Sequence, residues 1–305
     1  MAAMRREELE ALMLDAIERK VESLPPAKVS DFRVEHPDGD EETMVLTLSD
    51  VHFGHKTPTT TCRIIANRLK RLGQRVVKVA SIHRQAFPIR RLVVFALGDL
   101  CQGDQIGRFV SLDELENTVM VQVFDWAVPE LSNFLLGLQE HFEKVDVFAV
   151  RGNHGSVRRN AGTDTNWDTI VYKAVAQRLA NQPRIRWHIE EKTFYQIVKI
   201  YKWGFLIMHG DQIRSYLNIP WYSQIRMANR MRGAVSGLFH YVVYAHFHTS
   251  AIYKWNDIEI IANGCFVTDD QWTLKRMGMS SDCSQVVFGV HPRKGMSFRY
   301  RIQLD

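Results

Sequence analysis

From Met44 onward the chain repeats one pattern, a short apolar run that ends abruptly in Asp, His, Asn or Gly. MVLTL (44–48) leads into Ser49-Asp50-Val51-His52, and RLVVFAL (91–97) into Gly98-Asp99. VDVFAV (145–150) leads into Arg151-Gly152-Asn153-His154, FLIM (205–208) into His209-Gly210-Asp211, and YVVYA (241–245) into His246-Phe247-His248. Runs this short, rich in β-branched and aromatic residues, predict buried strands. The spacing of apolar residues predicts helices over 60–85 and 111–142, the second broken at Pro129, and a third near 164–180. Strand alternating with helix predicts an α/β layered fold, in which polar residues at strand carboxyl ends form the site. Seven runs crowd the last third, at 184–189, 194–200, 203–208, 241–245, 258–262, 285–290 and 296–303. They predict a second sheet facing the first within one domain. Upstream, Leu9, Leu12, Met13, Ala16, Ile17 and Val21 recur at helical spacing over 4–22, until Leu24-Pro25-Pro26 ends the pattern. The expected organisation is an amino-terminal helix and linker over 1–42 and one domain over 43–305.

Composition mainly excludes. Over 305 residues, 46% are hydrophobic and 24% charged, the ordinary globular range, which rules out disorder for the bulk of the chain. No stretch reaches the ~18 apolar residues of a membrane span. MAAMRREELE lacks the apolar centre of a signal peptide, so a cytosolic protein is expected. Cys62, Cys101, Cys265 and Cys283 are scattered without a CxxC pair, which points to buried reduced thiols rather than a zinc knuckle or disulfide framework.

Charge is segregated. Residues 1–50 hold 13 acidic and 6 basic side chains, so the remainder carries a net positive charge although the whole chain is only +5. Val51–Gly98 contains Lys56, Arg63, Arg68, Lys70, Arg71, Arg75, Lys78, Arg84, Arg90 and Arg91 with no acid. The window 212–256 contains Arg214, Arg226, Arg230, Arg232 and Lys254, again with none. Two readings stay open: solvated faces of surface helices, or a track for a phosphate backbone.

The five polar clusters supply carboxylate and amide oxygens and imidazole nitrogens, with no thiolate. That donor set suits Mn, Fe or Zn in a dimetal site better than a structural zinc site. Two cations about 3.5–4 Å apart need a shared anion, and Asp99, after a strand and preceded by Gly98, is the candidate bridge.

Asp50-Val51-His52, Gly98-Asp99, Gly152-Asn153-His154, His209-Gly210-Asp211 and His246-Phe247-His248 resemble the five ordered blocks of the calcineurin-like metallophosphoesterases. One D-x-H or H-x-H is weak; five in order, each after an apolar run, is a specific signal. The resemblance covers residues 44–265 and implies a two-sheet β-sandwich flanked by helices, with the metals at the strand ends. It implies that Asp50, His52 and His248 hold one metal, that Asn153, His209 and His246 hold the other, and that Asp99 bridges them. The implied cofactors are two divalent ions, Mn2+ ahead of Fe, Zn, Ni or Mg. His154 would act on the scissile phosphate without binding metal, and a bridging hydroxide would be the nucleophile. Asp211 either orients His209 or caps the next turn. Two positions depart from the family pattern: Gly155 stands where an acid usually follows GNH, and Ala245 where Gly usually precedes the last H-x-H.

The implied reaction is hydrolysis of a phosphate ester. The block Ser49-Asp50-Val51-His52-Phe53-Gly54 is similar to that of SbcD-type nucleases, and other motifs resemble phage and bacterial metallophosphoesterases. With the basic windows, this makes a DNA nuclease the first expectation and DNA the expected partner. A small-molecule phosphodiesterase or phosphomonoesterase such as a nucleotidase is the second. A non-catalytic DNA-binding subunit on the same scaffold is the third. Arg151, Arg158 and Arg159 flank the third block as candidate phosphate contacts, with His55 near the site. Trp221, Tyr222, Tyr241 and Tyr244 either stack on unpaired bases or pack in the core. The amino-terminal helix either packs on its own domain, docks a partner or forms a homodimer contact.

Overall fold

The computed structural model describes residues 6–23, 39–104, 112–156, 165–214, 219–271, 274–275, 278, 280 and 282–305. The chain divides into two units, Met1–Pro37 and Asp38–Asp305. In the first, α1 (Arg6–Glu22) is a helix carrying an Asp15–Arg19 ion pair at 2.5 Å. The linker expected after it lies outside the described residues up to position 38.

In the second unit β1 (Thr43–Leu48), β2 (Arg91–Ala96), β3 (Lys144–Ala149) and β4 (Ile185–Ile189) pair in parallel. β10 (Ser284–His291) and β11 (Gly295–Gln303) extend this sheet antiparallel beyond β1, giving the order β11-β10-β1-β2-β3-β4. The second sheet has the order β5-β6-β7-β9-β8. Its strands are β5 (Tyr195–Ile200), β6 (Trp203–Met208), β7 (Tyr241–Tyr244), β8 (Ala251–Trp255) and β9 (Ile258–Ala262). Within it β6, β7 and β9 are parallel.

Period-2 alternation builds the layers. Met44, Leu46, Leu92 and Val94 face α2 (Cys62–His83), α4 (Val128–Gln139) and α5 (Trp167–Arg178) through Ile65, Leu69, Leu135 and Val171. Val45, Val93 and Phe95 point the other way, against Phe205, Val243 and Ile261 of the second sheet. Both faces are covered, so the strands read as continuous apolar runs. The outer face of the second sheet packs Leu206, Val242 and Ile260 on Ala228 and Met231 of α6 (Pro220–Ala234). The expected two-sheet sandwich flanked by helices is therefore the observed architecture. Phe205 stacks on Tyr241 at 4.5 Å at its centre.

Three sequence expectations change. Strands of the last third join both sheets: β10 and β11 complete the first, because Val287 and Phe288 alternate between its two cores. Helix α6 and strand β8 were not foreseen. Pro129 does not break its helix. From α3 (Val119–Val121) the chain passes through a wide π-turn at Gln122–Ala127 into α4. The Val128 N–H bonds to the Val123 carbonyl five residues back, a widening that accommodates a proline ring and its missing donor.

Six arginines of the first acid-free window are used by the fold. Arg68, nearly buried, bonds to Asp305 (2.7 Å) and to the Phe266 carbonyl (2.7 Å). Arg71 and Arg75 bond to the Leu304 and Gln303 carbonyls. Arg84 bonds to the Ile89 and His141 carbonyls, Arg90 pairs with Glu41 and Glu143, and Arg91 pairs with Asp146 at 2.7 Å. Local absence of acid does not make a free basic face, because distant segments supply the acids and carbonyls.

Candidate metal centre

The five polar clusters converge because parallel strands of both sheets end together, and each ligand-bearing loop turns sharply. Asp50 (φ 51°), His52 (54°), Asp99 (54°), His246 (70°) and His248 (53°) adopt the left-handed conformation. Each costs of order 1–3 kcal/mol, least for Asp, Asn and His. Backbone bonds between loops hold the turns: Asp50 N–H to the Gly98 carbonyl, His52 N–H to Asp99, Ala245 N–H to His209. Gly98 (φ +90°) and Gly152 let the second and third loops touch. A Cβ at Gly98 would lie 2.1 Å from Gly152 N, and one at Gly152 would lie 2.2 Å from Asp99 Oδ1.

Two groups of donors result. Asp50, His52 and His248 place one donor atom each within 4.8 Å of one another, as do Asp99, His209 and His246. In the first group His52 Nε2 and His248 Nε2 are 3.2 Å apart, and His248 Nε2 is 3.4 Å from Asp50 Oδ1. Asp50 Oδ2 accepts from Ser49 Oγ (2.6 Å) and the His246 N–H (3.3 Å), while Oδ1, buried, has no hydrogen-bond partner among the described residues. In the second group His209 Nδ1 lies 2.7 Å from the Leu97 carbonyl, which fixes the proton there and turns Nε2 to the centre. Nε2 lies 3.0 Å from Asp99 Oδ2 and 3.0 Å from Asn153 Oδ1. Three lone-pair atoms meet at that point, an arrangement that requires a proton or a cation between them. The residues therefore fit two hard-to-borderline metal ions.

Burial raises the Asp99 carboxyl, but His209, His154 and His52 outweigh it and hold the group well below the usual carboxylate range. Burial lowers His209, and the adjacent Asp99 carboxylate reverses this and carries it to about 10. His246 is pushed down to about 3, first by burial and then by His209. His52 is likewise driven well below its ordinary value by burial. His52 and His246 thus stand as the neutral imidazoles a divalent ion needs, whereas His209 and His248, the latter held well above its ordinary value against burial by Cys265, Asp270 and Asp50, would give up a proton to one.

His154 belongs to neither group. Its backbone N–H donates to Asp99 Oδ1 (2.8 Å) and its Nδ1 lies 3.0 Å from the Gln102 carbonyl. Its ring is 4.7 Å from that of His52. A cavity of about 280 Å³ opens over the centre, lined by His154, His55, Gln102, Glu114, Asp211 and Asp270 with four of the donor residues and Asp99. Among its described lining residues none is Lys or Arg. Arg151 turns instead to the Thr193 carbonyl (3.4 Å), and Arg158 and Arg159 lie outside the described residues. Asp211 does not orient His209, both of whose nitrogens face other groups; it bonds to Gln212. Tyr241 and Tyr244 are core residues, whereas Tyr222 is exposed.

Asp168 escaped the sequence reading. Fully buried at the start of α5, it accepts three backbone N–H groups: Asp99 (3.0 Å) and Gly152 (2.8 Å) on Oδ2, and Leu100 (2.9 Å) on Oδ1. One carboxylate thus ties the second loop to the third. Asn166 caps α5 through the Asp168 N–H and donates to the Gly152 carbonyl at 3.0 Å. Its side chain fills the space a Cβ at Gly155 would need, which accounts for Gly155 in place of the usual acid. Asn263, donating to Ser49 Oγ at 2.8 Å, and Gln285, accepting from the Ser49 N–H, back Asp50 in the same way. Such residues lie far from the motifs and carry no spacing signal.

No family model matches the chain, and no curated protein matches it. Similar solved structures include Vps29 of Entamoeba histolytica complexed with Zn2+ (14% identity, 86% of this chain and 99% of that one, TM-score 0.38). An archaeal phosphodiesterase gives 14% identity over 85% of this chain and 99% of that one, TM-score 0.38. A predicted phosphoesterase of Streptococcus pneumoniae gives 12% identity over 85% and 98%, TM-score 0.34. Among the described residues no helix is long and apolar enough to cross a membrane.

Proposed function

We propose that the protein is a calcineurin-like metallophosphoesterase, a dimetal-dependent hydrolase of phosphate esters. The observation that carries this is the convergence of Asp50, His52 and His248 on one side and Asp99, Asn153, His209 and His246 on the other, beneath one cavity. Bound there, two divalent ions would supply Lewis acidity toward the phosphoryl oxygens and an acidified water. The chain does the rest. Asp99, with Oδ1 held by the His154 N–H and Oδ2 beside His209, would be the carboxylate shared by the two ions. His209 is fixed by the Leu97 carbonyl and His154 by the Gln102 carbonyl, so neither ring must reorient during turnover. With Nδ1–H so engaged, His154 as the imidazolium gives its Nε2 proton to the departing alkoxide and is left as the neutral Nδ1–H tautomer.

Within that reading we propose a nucleic-acid phosphodiester as the substrate and Mn2+ as the ion. Support comes from the second basic window, whose Arg226 and Arg230 remain exposed. A small-molecule ester is the competing substrate, favoured by the narrow cavity and by Glu114, Asp211 and Asp270 in its lining, which oppose additional negative charge. The test is turnover of bis-p-nitrophenyl phosphate beside labelled single- and double-stranded DNA, with Mn2+ and with Asp99→Asn as control. Loss of all turnover in the variant supports the hydrolase. DNA left intact while the small ester turns over overturns the nuclease. No turnover of either, with metal bound, overturns the hydrolase.

A further inference from the structure

We infer that the outer face of α6, together with the β8–β9 hairpin, is a binding groove for single-stranded nucleic acid, separate from the metal centre. Tyr222, Arg226 and Arg230 recur every four residues on α6 and so form one stripe, with Asn229 beside it. Across from them stands Trp255. On β8, Tyr253 faces α6, since its hydroxyl donates to Gln224 Oε1 at 2.6 Å. Trp255, two residues on, leaves the strand on the same face. Tyr222, Ile225, Arg226, Asn229, Arg230 and Trp255 enclose a surface cavity of about 410 Å³ whose described lining holds no Asp or Glu.

Two features ask for a ligand. Trp255 is 48% and Tyr222 59% exposed, the two most exposed aromatic rings among the described residues, and they line the same cavity. Arg226 and Arg230 are exposed and have no acidic or carbonyl partner among the described residues, whereas Arg232 on the same helix pairs with Asp257 at 2.6 Å. Flat rings interleaved with unpaired guanidiniums match alternating bases and phosphates of an unpaired strand. A duplex would present phosphates but no base faces to Trp255. The stripe from Tyr222 to Arg230 spans about 12 Å at 1.5 Å per residue.

Chain direction places the groove usefully. α6 ends a few residues before β7 starts, at the end of the sheet away from His209 and His246. Its first turn therefore points back toward the metal-bearing end, and the stripe runs from there toward Trp255. A strand held here would be anchored by cations that the described lining of the metal cavity lacks.

The test is fluorescence anisotropy of a labelled oligo(dT) with the full chain, in EDTA to prevent cleavage, over a salt series. The wild type should bind at low salt. Arg226→Glu/Arg230→Glu should weaken binding at least tenfold and reduce the slope of log K against log salt by about 1.4, at about 0.7 per phosphate contact. Trp255→Ala should weaken it roughly tenfold through lost stacking. Both variants should keep the melting temperature and small-ester turnover of the wild type, since neither touches the metal centre. Absent binding by the wild type, or equal affinity in the double variant, would overturn the groove. Dependence on the arginines without dependence on Trp255 would overturn the single-strand assignment. Binding that needs these residues in a protein that hydrolyses no ester would leave the groove standing and remove only the hydrolase.

Discussion

Replacing Asp168 by Asn asks how much the metal centre depends on a residue that binds no metal. The amide keeps one acceptor oxygen. Placed where Oδ2 stands, it retains the Asp99 and Gly152 N–H groups and turns an NH2 toward the Leu100 N–H, 2.9 Å away in the parent. One buried donor loses its partner and a second donor faces it, at a cost of about 1–3 kcal/mol. Removing the carboxylate offsets part of this, because burial and then the Asp99 charge already raise the Asp168 carboxyl to about 6. For a unit of this size, 1 kcal/mol moves the melting temperature by about 2–4 °C, so a fall of at most about 12 °C is expected. The effect on chemistry should be larger than the effect on stability. Asp99 and the Asn153 loop lose their shared fixed point, and a displacement near 1 Å costs about 100-fold in rate. The assays are differential scanning calorimetry, metal content after gel filtration, and ester turnover. Asp168→Glu should not rescue, since the extra methylene has no room in a fully buried site. Wild-type melting temperature, metal content and rate in Asp168→Asn would refute the tie between the loops.

Asp99→Asn removes the shared charge and one oxygen, so bound metal should fall below two ions per chain along with activity; two ions and near-normal turnover would refute its bridging role. His154→Ala should keep both ions and lose about 100- to 10,000-fold in rate, as read by metal analysis beside steady-state kinetics. Metal-free protein should lose stability as pH rises. His209 is raised from 6.5 to about 10, so its contribution is complete below pH 6.5 and disappears on passing through about 10. Thermal melts across that window should slope downward without metal and flatten with Mn2+, which takes the place of the proton. Phe205→Ala empties the centre of the inter-sheet core and should cost about 3–5 kcal/mol, measured by urea unfolding.

The layers and the convergence of the candidate ligands were legible because both follow from local pattern. Continuous apolar runs marked strands covered on both faces, and the residue after each run marked the site. What sequence did not disclose was which contacts are long-range. β10 and β11 look like the other late strands, yet they close the first sheet, a choice made by packing against β1 rather than by their own composition. The π-turn before Pro129 depends on backbone geometry that propensity does not encode. Asp168 and Asn166 lie 14 and more residues from the loop they hold, across a helix start, with no spacing rule to find them.

The basic windows show the same limit with a functional consequence. Ten cations without an acid in 48 residues read as a face that must attract a polyanion. In the fold, Arg68, Arg71 and Arg75 of α2 clasp the last residues of the chain, and Arg84, Arg90 and Arg91 tie strand ends to Glu41, Glu143, Asp146 and nearby carbonyls. A guanidinium committed to carboxylates and carbonyls, like that of the buried Arg68, is less available to a track. The second window has half as many cations, but two of them, without an acidic or carbonyl partner among the described residues, stand beside exposed rings. Partner charge, not charge count, therefore decides where a phosphate backbone could lie, and it moves the expected strand from the α2 side to α6. That shift is itself a prediction: reversing Lys70 and Lys78, both on α2, should leave oligonucleotide affinity within about twofold, while reversing Arg226 and Arg230 should not. A larger loss from the α2 pair would return the track to the first window and undo the assignment.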